Sequence, residues 1–365
     1  MRSNLPKREI DESLILSAFC MRRVGLSFQD HKSGSAHLRQ KLMFTLSLCS
    51  ICYHVFSEIV FIGLTLSNSP RVEDVVPLFH TFGYGALSIA KVFVLWYKKD
   101  VFKQLLHELA GIWPMPPLEE EAQIIKNKSL DALRIAHRWY FFINVAGVWF
   151  YNLTPIAVYL FELWQNGNAK IGFVWVSWYP FDKHQPLAHV AVYLFEIFAG
   201  QTCVWIMVGT DLLFSAMASH ISLLLRLLKR RLESVGTVEN DHYQDTLANI
   251  KLHQRLITYC NDLENAFSLS NFVNIMLSAV NICCHHEFYD IFHANGDVAS
   301  AAYNSGWYRT NPRCRRALLF LIQRAQKPIA FTAMNFTNIT LVTYSAILTR
   351  SYSYFALLYT MYSEN

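Results

Sequence analysis

Thr343-Tyr-Ser-Ala-Ile-Leu-Thr-Arg-Ser-Tyr-Ser-Tyr-Phe-Ala-Leu-Leu358 is the stretch on which the fold turns. It sits inside Ile329 to Tyr362, a run apolar enough to cross a bilayer, yet hydroxyl and charged side chains recur within it. Thr343, Ala346, Arg350, Ser353, Leu357 and Thr360 follow alternating steps of three and four, which places them on one face of a helix. Such a stripe is either the wall of a water-filled pore or a packing face in a bundle, where Ser and Thr join helices through hydrogen bonds. Arg350 needs water or a partner wherever it lies within the membrane.

Working outward, the 365 residues are 53% hydrophobic and only 16% charged, too little polar material to cover a soluble body. Further apolar runs cover Leu42 to Ser67, Val75 to Tyr97, Trp139 to Leu163, Leu187 to Met217 and Phe267 to Cys284. A bilayer crossing needs about 20 such residues, so the chain is expected to be an all-α polytopic membrane helix bundle. The segment Met1 to Leu26 is charged and broken by Pro6, which does not read as a cleavable signal peptide. The net charge of +5 is concentrated in blocks beside apolar runs rather than on one folded face, so it reports topology and not a nucleic-acid partner.

Those blocks set the orientation. Arg2, Lys7, Arg8, Arg22, Arg23, Lys32, Arg39 and Lys41 precede the first run; Lys98, Lys99, Lys103, Lys126, Lys128 and Arg134 follow the second; Arg226, Lys229, Arg230, Arg231, Lys251 and Arg255 follow the fourth. The alternate connections are poor in cations, so the N-terminus is expected in the cytosol. Trp175, Trp178 and Tyr179 in the connection before the fourth run would suit an aromatic belt at headgroup level. Leu223, Leu224, Leu227 and Leu228 continue the fourth run at helical spacing, and Leu247 to Leu263 forms a second amphipathic segment. Together these suggest a helical cytosolic platform, and periodicity alone fits two separately solvated surface helices equally well.

One crossing is short. Arg309, Arg313, Arg315, Arg316, Arg324 and Lys327 mark a cytosolic segment, so the chain must return between the fifth run and Arg309. Only Cys283 to Trp307 is available, and it holds His285, His286, Glu287, Asp290, His293 and Asp297. The abrupt polar join after Cys284 favours a lost portion of a sixth helix over a fifth segment that never fully exits. Cys283, Cys284, His285, His286 and Glu287 lack the C-x-x-C or H-x-x-x-H spacing of a zinc site, so no metal is expected there. Cys49, Cys52, Cys203 and Cys260 read as buried thiols. No catalytic carboxylate pair, nucleophile elbow or phosphate loop is present, so neither an enzyme nor a cofactor is expected.

Several blocks resemble insect odorant receptors. Lys251-Leu-His-Gln-Arg-Leu-Ile257 with Tyr259, Leu263, Glu264 and Phe267 is similar to the family's cytosolic helix leading into the fifth span. Ala301-Ala-Tyr-Asn-Ser-Gly-Trp-Tyr308, then Arg313, Arg315, Arg316 and Ala317 to Lys327, resembles the end of its sixth helix and the cytosolic half of the seventh. Trp178-Tyr-Pro-Phe-Asp182 is similar to an outer loop of many moth members, and Thr343 to Leu358 resembles the family's C-terminal signature.

The resemblance implies a seven-helix odorant-gated cation channel. Its domain plan would be a cytosolic segment over 1–41, four membrane helices over 42–217, cytosolic anchor helices over 218–266, a fifth and a shortened sixth helix over 267–308, the cytosolic half of the seventh over 309–328 and its pore-lining part over 329–365. It implies an extracellular C-terminus, a place in the plasma membrane of olfactory neuron dendrites, and a heterotetramer with the odorant co-receptor. Within the pore stripe of Thr343, Arg350, Ser353, Leu357 and Thr360, it puts Leu357 at the apolar gate and Thr360 one turn outward. A small volatile ligand would be walled by Phe79, Phe82, Trp149, Tyr151, Thr154, Tyr193 and Phe198. A secondary transporter and a noncatalytic membrane scaffold are the competing classes.

Overall fold

The computed structural model describes residues 5–27, 34–67, 72–167, 169–175, 177–235, 243–277, 285–327, 332–333, 337–338, 345 and 349. Within these, residues 5, 34, 72–80, 273, 275–277, 285–294, 332–333 and 337–338 are described by backbone alone. The helices are α1 (Leu5–Ser13), α2 (Ile15–Arg23), α3 (Gly34–Ser67), α4 (Val72–Tyr97), α5 (Lys99–Ile112), α6 (Glu120–Asn166), α7 (Pro186–Glu233), α8 (Tyr243–Leu277), α9 (His285–Asn304) and α10 (Pro312–Ala325), with a 3-10 turn at Trp307–Arg309. Apart from one two-residue strand pair, the described elements are helical, as the hydropathy pattern requires. Among the described residues, α3, α6 and α7 are long and apolar enough to cross a membrane.

The chain divides into two compact units. One holds Ile15–Lys99 and Ala136–Leu212; the other holds Met1–Leu14, Asp100–Ile135 and Leu213–Asn365. We call them the α3–α4 unit and the α8–α10 unit.

In the α3–α4 unit, α3 and α4 pack along each other. Val24, Ile51, Val55, Val92, Cys203 and Ile206 form one core cluster, and Cys20, Val148, Val204, Val208 and Leu212 another. Gly25 makes the entry to this core possible. It takes φ +81°, Leu26 N–H closes α2 on the Met21 carbonyl at 2.9 Å, and a Cβ at Gly25 would collide with backbone atoms of Phe44 and Gln40 on α3. Cys49 and Cys52, expected to be buried, are exposed on α3. An apolar thiol in a membrane helix is satisfied by lipid as well as by protein, so apolarity alone does not fix its side.

In the α8–α10 unit, Phe102 of α5 and Phe214 of α7 each lie 4.9 Å from the Phe267 ring of α8. Leu223, Leu224, Leu227 and Leu228 are buried, so α7 does continue through the amphipathic stretch the sequence marked. Helix α1 is held by Glu9, which takes the Lys126 ammonium at 2.5 Å and the Trp113 indole N–H at 2.6 Å. Helix α10 packs against α8 and α9. Asn311 caps it by accepting the Cys314 N–H at 2.8 Å, with Pro312 at the first helical position.

The stretch expected to begin the last membrane helix starts otherwise. Thr332–Ala333 pairs antiparallel with Thr337–Asn338, where helix was predicted. Phe331, Thr332, Thr337, Ile339 and Thr340 are the residue types that favour extended backbone, which the apolar-run criterion ignores. Farther on, Ser345 and Thr349 are helical, with the Thr349 hydroxyl donating to the Ser345 carbonyl at 2.9 Å. Thr343, Ala346, Arg350, Ser353, Leu357 and Thr360 lie outside the described residues.

Candidate functional site

The α3–α4 unit gathers the residues with the chemistry of a site. The segment between α6 and α7 does not lie flat as an aromatic belt would. Trp175 turns inward and is only 8% exposed. Its backbone N–H and that of Val174 donate to Glu196 Oε2 at 3.1 and 2.8 Å, its indole N–H donates to the Glu196 carbonyl at 3.1 Å, and Tyr179 Oη donates to Glu196 Oε1 at 3.2 Å. One α7 carboxylate therefore satisfies the turn of the loop. A second tie joins the loop to α3: Ser57 Oγ donates to the Trp178 carbonyl at 2.6 Å, and Trp178 N–H returns to the Ser57 carbonyl at 3.4 Å. Lys183 donates to the Ser177 carbonyl at 3.0 Å and lies over the Phe173 ring. Burial pulls the Lys183 ammonium below its usual range, and burial next to Glu196 pushes the Tyr179 phenol up.

Around the Trp175 indole stand His54 of α3, edge-on at 5.1 Å, and Tyr151 of α6 at 5.0 Å. Tyr193 of α7 is buried with Val174 and Trp175 and donates its hydroxyl to the Asn152 carbonyl at 2.6 Å. Glu58, one turn from His54 and 2% exposed, has Oε1 3.7 Å from His54 Nε2.

A separate polar group lies in the same unit. The Lys91 ammonium of α4 meets Asp211 Oδ1 of α7 at 2.5 Å, and Tyr140 of α6 donates to Asp211 Oδ2 at 3.0 Å. Lys91 is fully buried. A charge inside an apolar helix is costly, and pairing of this kind lowers that cost.

Of the residues the sequence nominated for a ligand, the structure brings Tyr151 and Tyr193 together about Trp175. Phe82 is half-buried against the cluster that contains Ile51 and Val55. Phe198 is half-buried on α7, Trp149 is half-exposed on α6, and exposed Thr154 spends its hydroxyl on the Phe150 carbonyl of its own helix at 2.8 Å. Phe79 lies in α4 where only backbone is described. His54, Glu58, Trp175 and Glu196 were not nominated. The signal was present, because a carboxylate within an apolar run is costly and marks a site by default. Among the described residues no group of His, Cys, Asp and Glu is arranged to hold a metal ion, and Cys283, Cys284, His285, His286 and Glu287 lie outside the described side chains.

The comparisons with known proteins agree with this architecture. The Drosophila melanogaster protein Odorant receptor 85c is 26% identical over 371 residues, spanning 91% of this chain and 94% of its own. Odorant receptor 85b of the same fly is 23% identical over 95% of this chain and 98% of its own. Among solved structures, the insect olfactory receptor OR5 from Machilis hrabei in complex with eugenol matches with a TM-score of 0.78, covering 99% of this chain and 100% of that one at 13% identity. A second structure of the same receptor matches with a TM-score of 0.75, covering 98% of this chain and 99% of that one at 12% identity. A family model described as 7tm Odorant receptor matches residues 71–286 and 289–352. The chain is a membrane protein of the 7tm odorant receptor family.

Proposed function

We propose that this protein is the ligand-tuning subunit of an odorant-gated, nonselective cation channel in the plasma membrane of olfactory sensory neuron dendrites. It assembles with the odorant co-receptor in a heterotetramer, with cytosolic N-terminus and extracellular C-terminus. A small volatile binds among Phe79, Phe82, Trp149, Tyr151, Thr154, Tyr193 and Phe198 and favours outward displacement of the last helix. Thr343, Arg350, Ser353, Leu357 and Thr360 line the conduit, and Leu357 forms the apolar constriction where dewetting stops ions.

The observation that carries this reading is the family match over residues 71–286 and 289–352. It is supported by the aromatic surroundings of Trp175, which suit a ligand that gains affinity by apolar burial. The Machilis hrabei receptor of the same fold, solved with eugenol, points to the same ligand class. The two matched stretches part at residues 287–288, next to the join after Cys284.

Co-expression of the chain with the co-receptor, under a panel of volatiles, tests the proposal. The expected result is an odorant-evoked current whose ligand profile changes when this chain is exchanged for another tuning subunit. A complex that reaches the surface and passes no evoked current speaks against it. A current restored only by a longer sixth helix would retain the channel reading and assign the silence to the join after Cys284.

A further inference from the structure

We infer that Trp175 sets the size of ligand this chain accepts, its indole filling the space between α3, α6 and α7 that a bound molecule would otherwise occupy. The inference rests on the proposed binding of a volatile in the α3–α4 unit. Tyr151 and Tyr193, two of the residues assigned to the ligand, are in contact with the Trp175 neighbourhood, so a side chain from the loop stands where a ligand carbon skeleton would pack.

Three features make the indole a fixed plug. It is tied at its ring nitrogen to the Glu196 carbonyl and at its backbone to the Glu196 carboxylate, so its direction is set twice. The opposite wall is cut away for it: a Cβ on Gly200 of α7 would come within 2.8 Å of Trp175 Cζ2, and only glycine leaves that room. The third wall is the His54 ring, edge-on to the indole at 5.1 Å. Removal of the indole leaves space beside the Tyr151 and Tyr193 rings, which a longer hydrocarbon chain fills.

The test compares wild type, Trp175→Phe and Trp175→Ala, each full-length and co-expressed with the co-receptor at matched surface level, against straight-chain alcohols, esters and ketones of increasing length. In the Ala variant the most effective member is expected to be several carbons longer than in wild type. Sensitivity should rise about fourfold for each further carbon buried. The Phe variant should fall between. An optimum at the same length in all three overturns the inference while leaving the receptor reading intact. Uniform loss of amplitude with no change in optimum does the same, because it marks a packing residue. Failure of both variants to reach the surface makes Trp175 a folding residue and also overturns it. If wild type and variants reach the surface and none responds to any compound, the receptor reading falls and the inference falls with it.

Discussion

At the scale of single residues, the charges inside apolar helices decide what the α3–α4 unit tolerates. Asp211→Asn leaves the Lys91 ammonium buried without its counter-charge, a loss of about 3–5 kcal/mol for a buried pair. Sharply lower surface delivery and a lower melting temperature in detergent are expected. The apolar double replacement Lys91→Met with Asp211→Leu should recover most of the loss, and a double variant as unstable as the single one would contradict the pairing. His253 of α8 provides a second case. Its Nε2 lies 3.0 Å from Asn295 Oδ1, while Asn295 Nδ2 donates to the Ala325 and Lys327 carbonyls at 2.9 and 3.1 Å. The amide oxygen is therefore the acceptor, and Nε2 carries the proton. Burial holds the imidazole pKa below its ordinary value, more than offsetting the Asn295 bond, and Arg324 adds to the lowering. The unfolded chain thus binds the extra proton first, so stability is full above about pH 6.5 and falls as pH drops towards the lowered native value. Thermal melts of the solubilised complex between those values should show this loss in wild type, and His253→Gln should flatten it. A wild-type melt independent of pH there would contradict the assignment. The sequence displayed Glu58, Lys91, Glu196 and Asp211 as charges in apolar runs, but partners such as Lys91 and Asp211 are 120 residues apart, and spacing rules act within one helix.

At the scale of elements, the connection before α7 behaves as a loop clasped from two sides rather than as a surface belt. Glu196→Ala removes the acceptor for the Val174 and Trp175 N–H groups and for Tyr179. Hydrogen bonds to a charged group contribute about 1.5–3 kcal/mol each, so local opening should become at least about tenfold more frequent. Trypsin applied to intact cells should then cut at Lys183 correspondingly faster, and an unchanged rate would place the loop's stability elsewhere. Helix α10 offers a smaller test: Asn311→Ala should cost about 1 kcal/mol through loss of its cap. Hydrogen exchange of the α10 amides would register it, and no change in protection would argue against the cap. The helical continuation of α7 through Leu228 was legible because leucines recur at helical spacing beside Arg226, Lys229, Arg230 and Arg231, whereas periodicity did not say whether that helix packs or is solvated on its own. The antiparallel pair at Thr332–Ala333 and Thr337–Asn338 was not, since apolar content counts residues without asking whether they are β-branched. The inward turn of Trp175 was hidden for another reason. A belt tryptophan and a buried one look alike until the distant acceptor is known.

At the scale of the whole molecule, the all-helical membrane architecture was readable because bilayer thickness leaves few alternatives to long apolar helices. The family was readable from the order of its motifs between Lys251 and Leu358. The cluster about Trp175 was only half readable: Tyr151 and Tyr193 were singled out in the sequence, whereas His54, Trp175 and Glu196 come together from elements the sequence did not connect. What unifies these pieces is the claim that a volatile held in the α3–α4 unit controls a pore walled by the last helix. Odorant-evoked and resting currents of the complex carrying Leu357→Ala, at wild-type surface level, test that claim most directly. A constriction that no longer dewets is expected, seen as raised resting current with a reduced odorant-evoked increment. Resting current, evoked current and ion permeability all equal to wild type would contradict it.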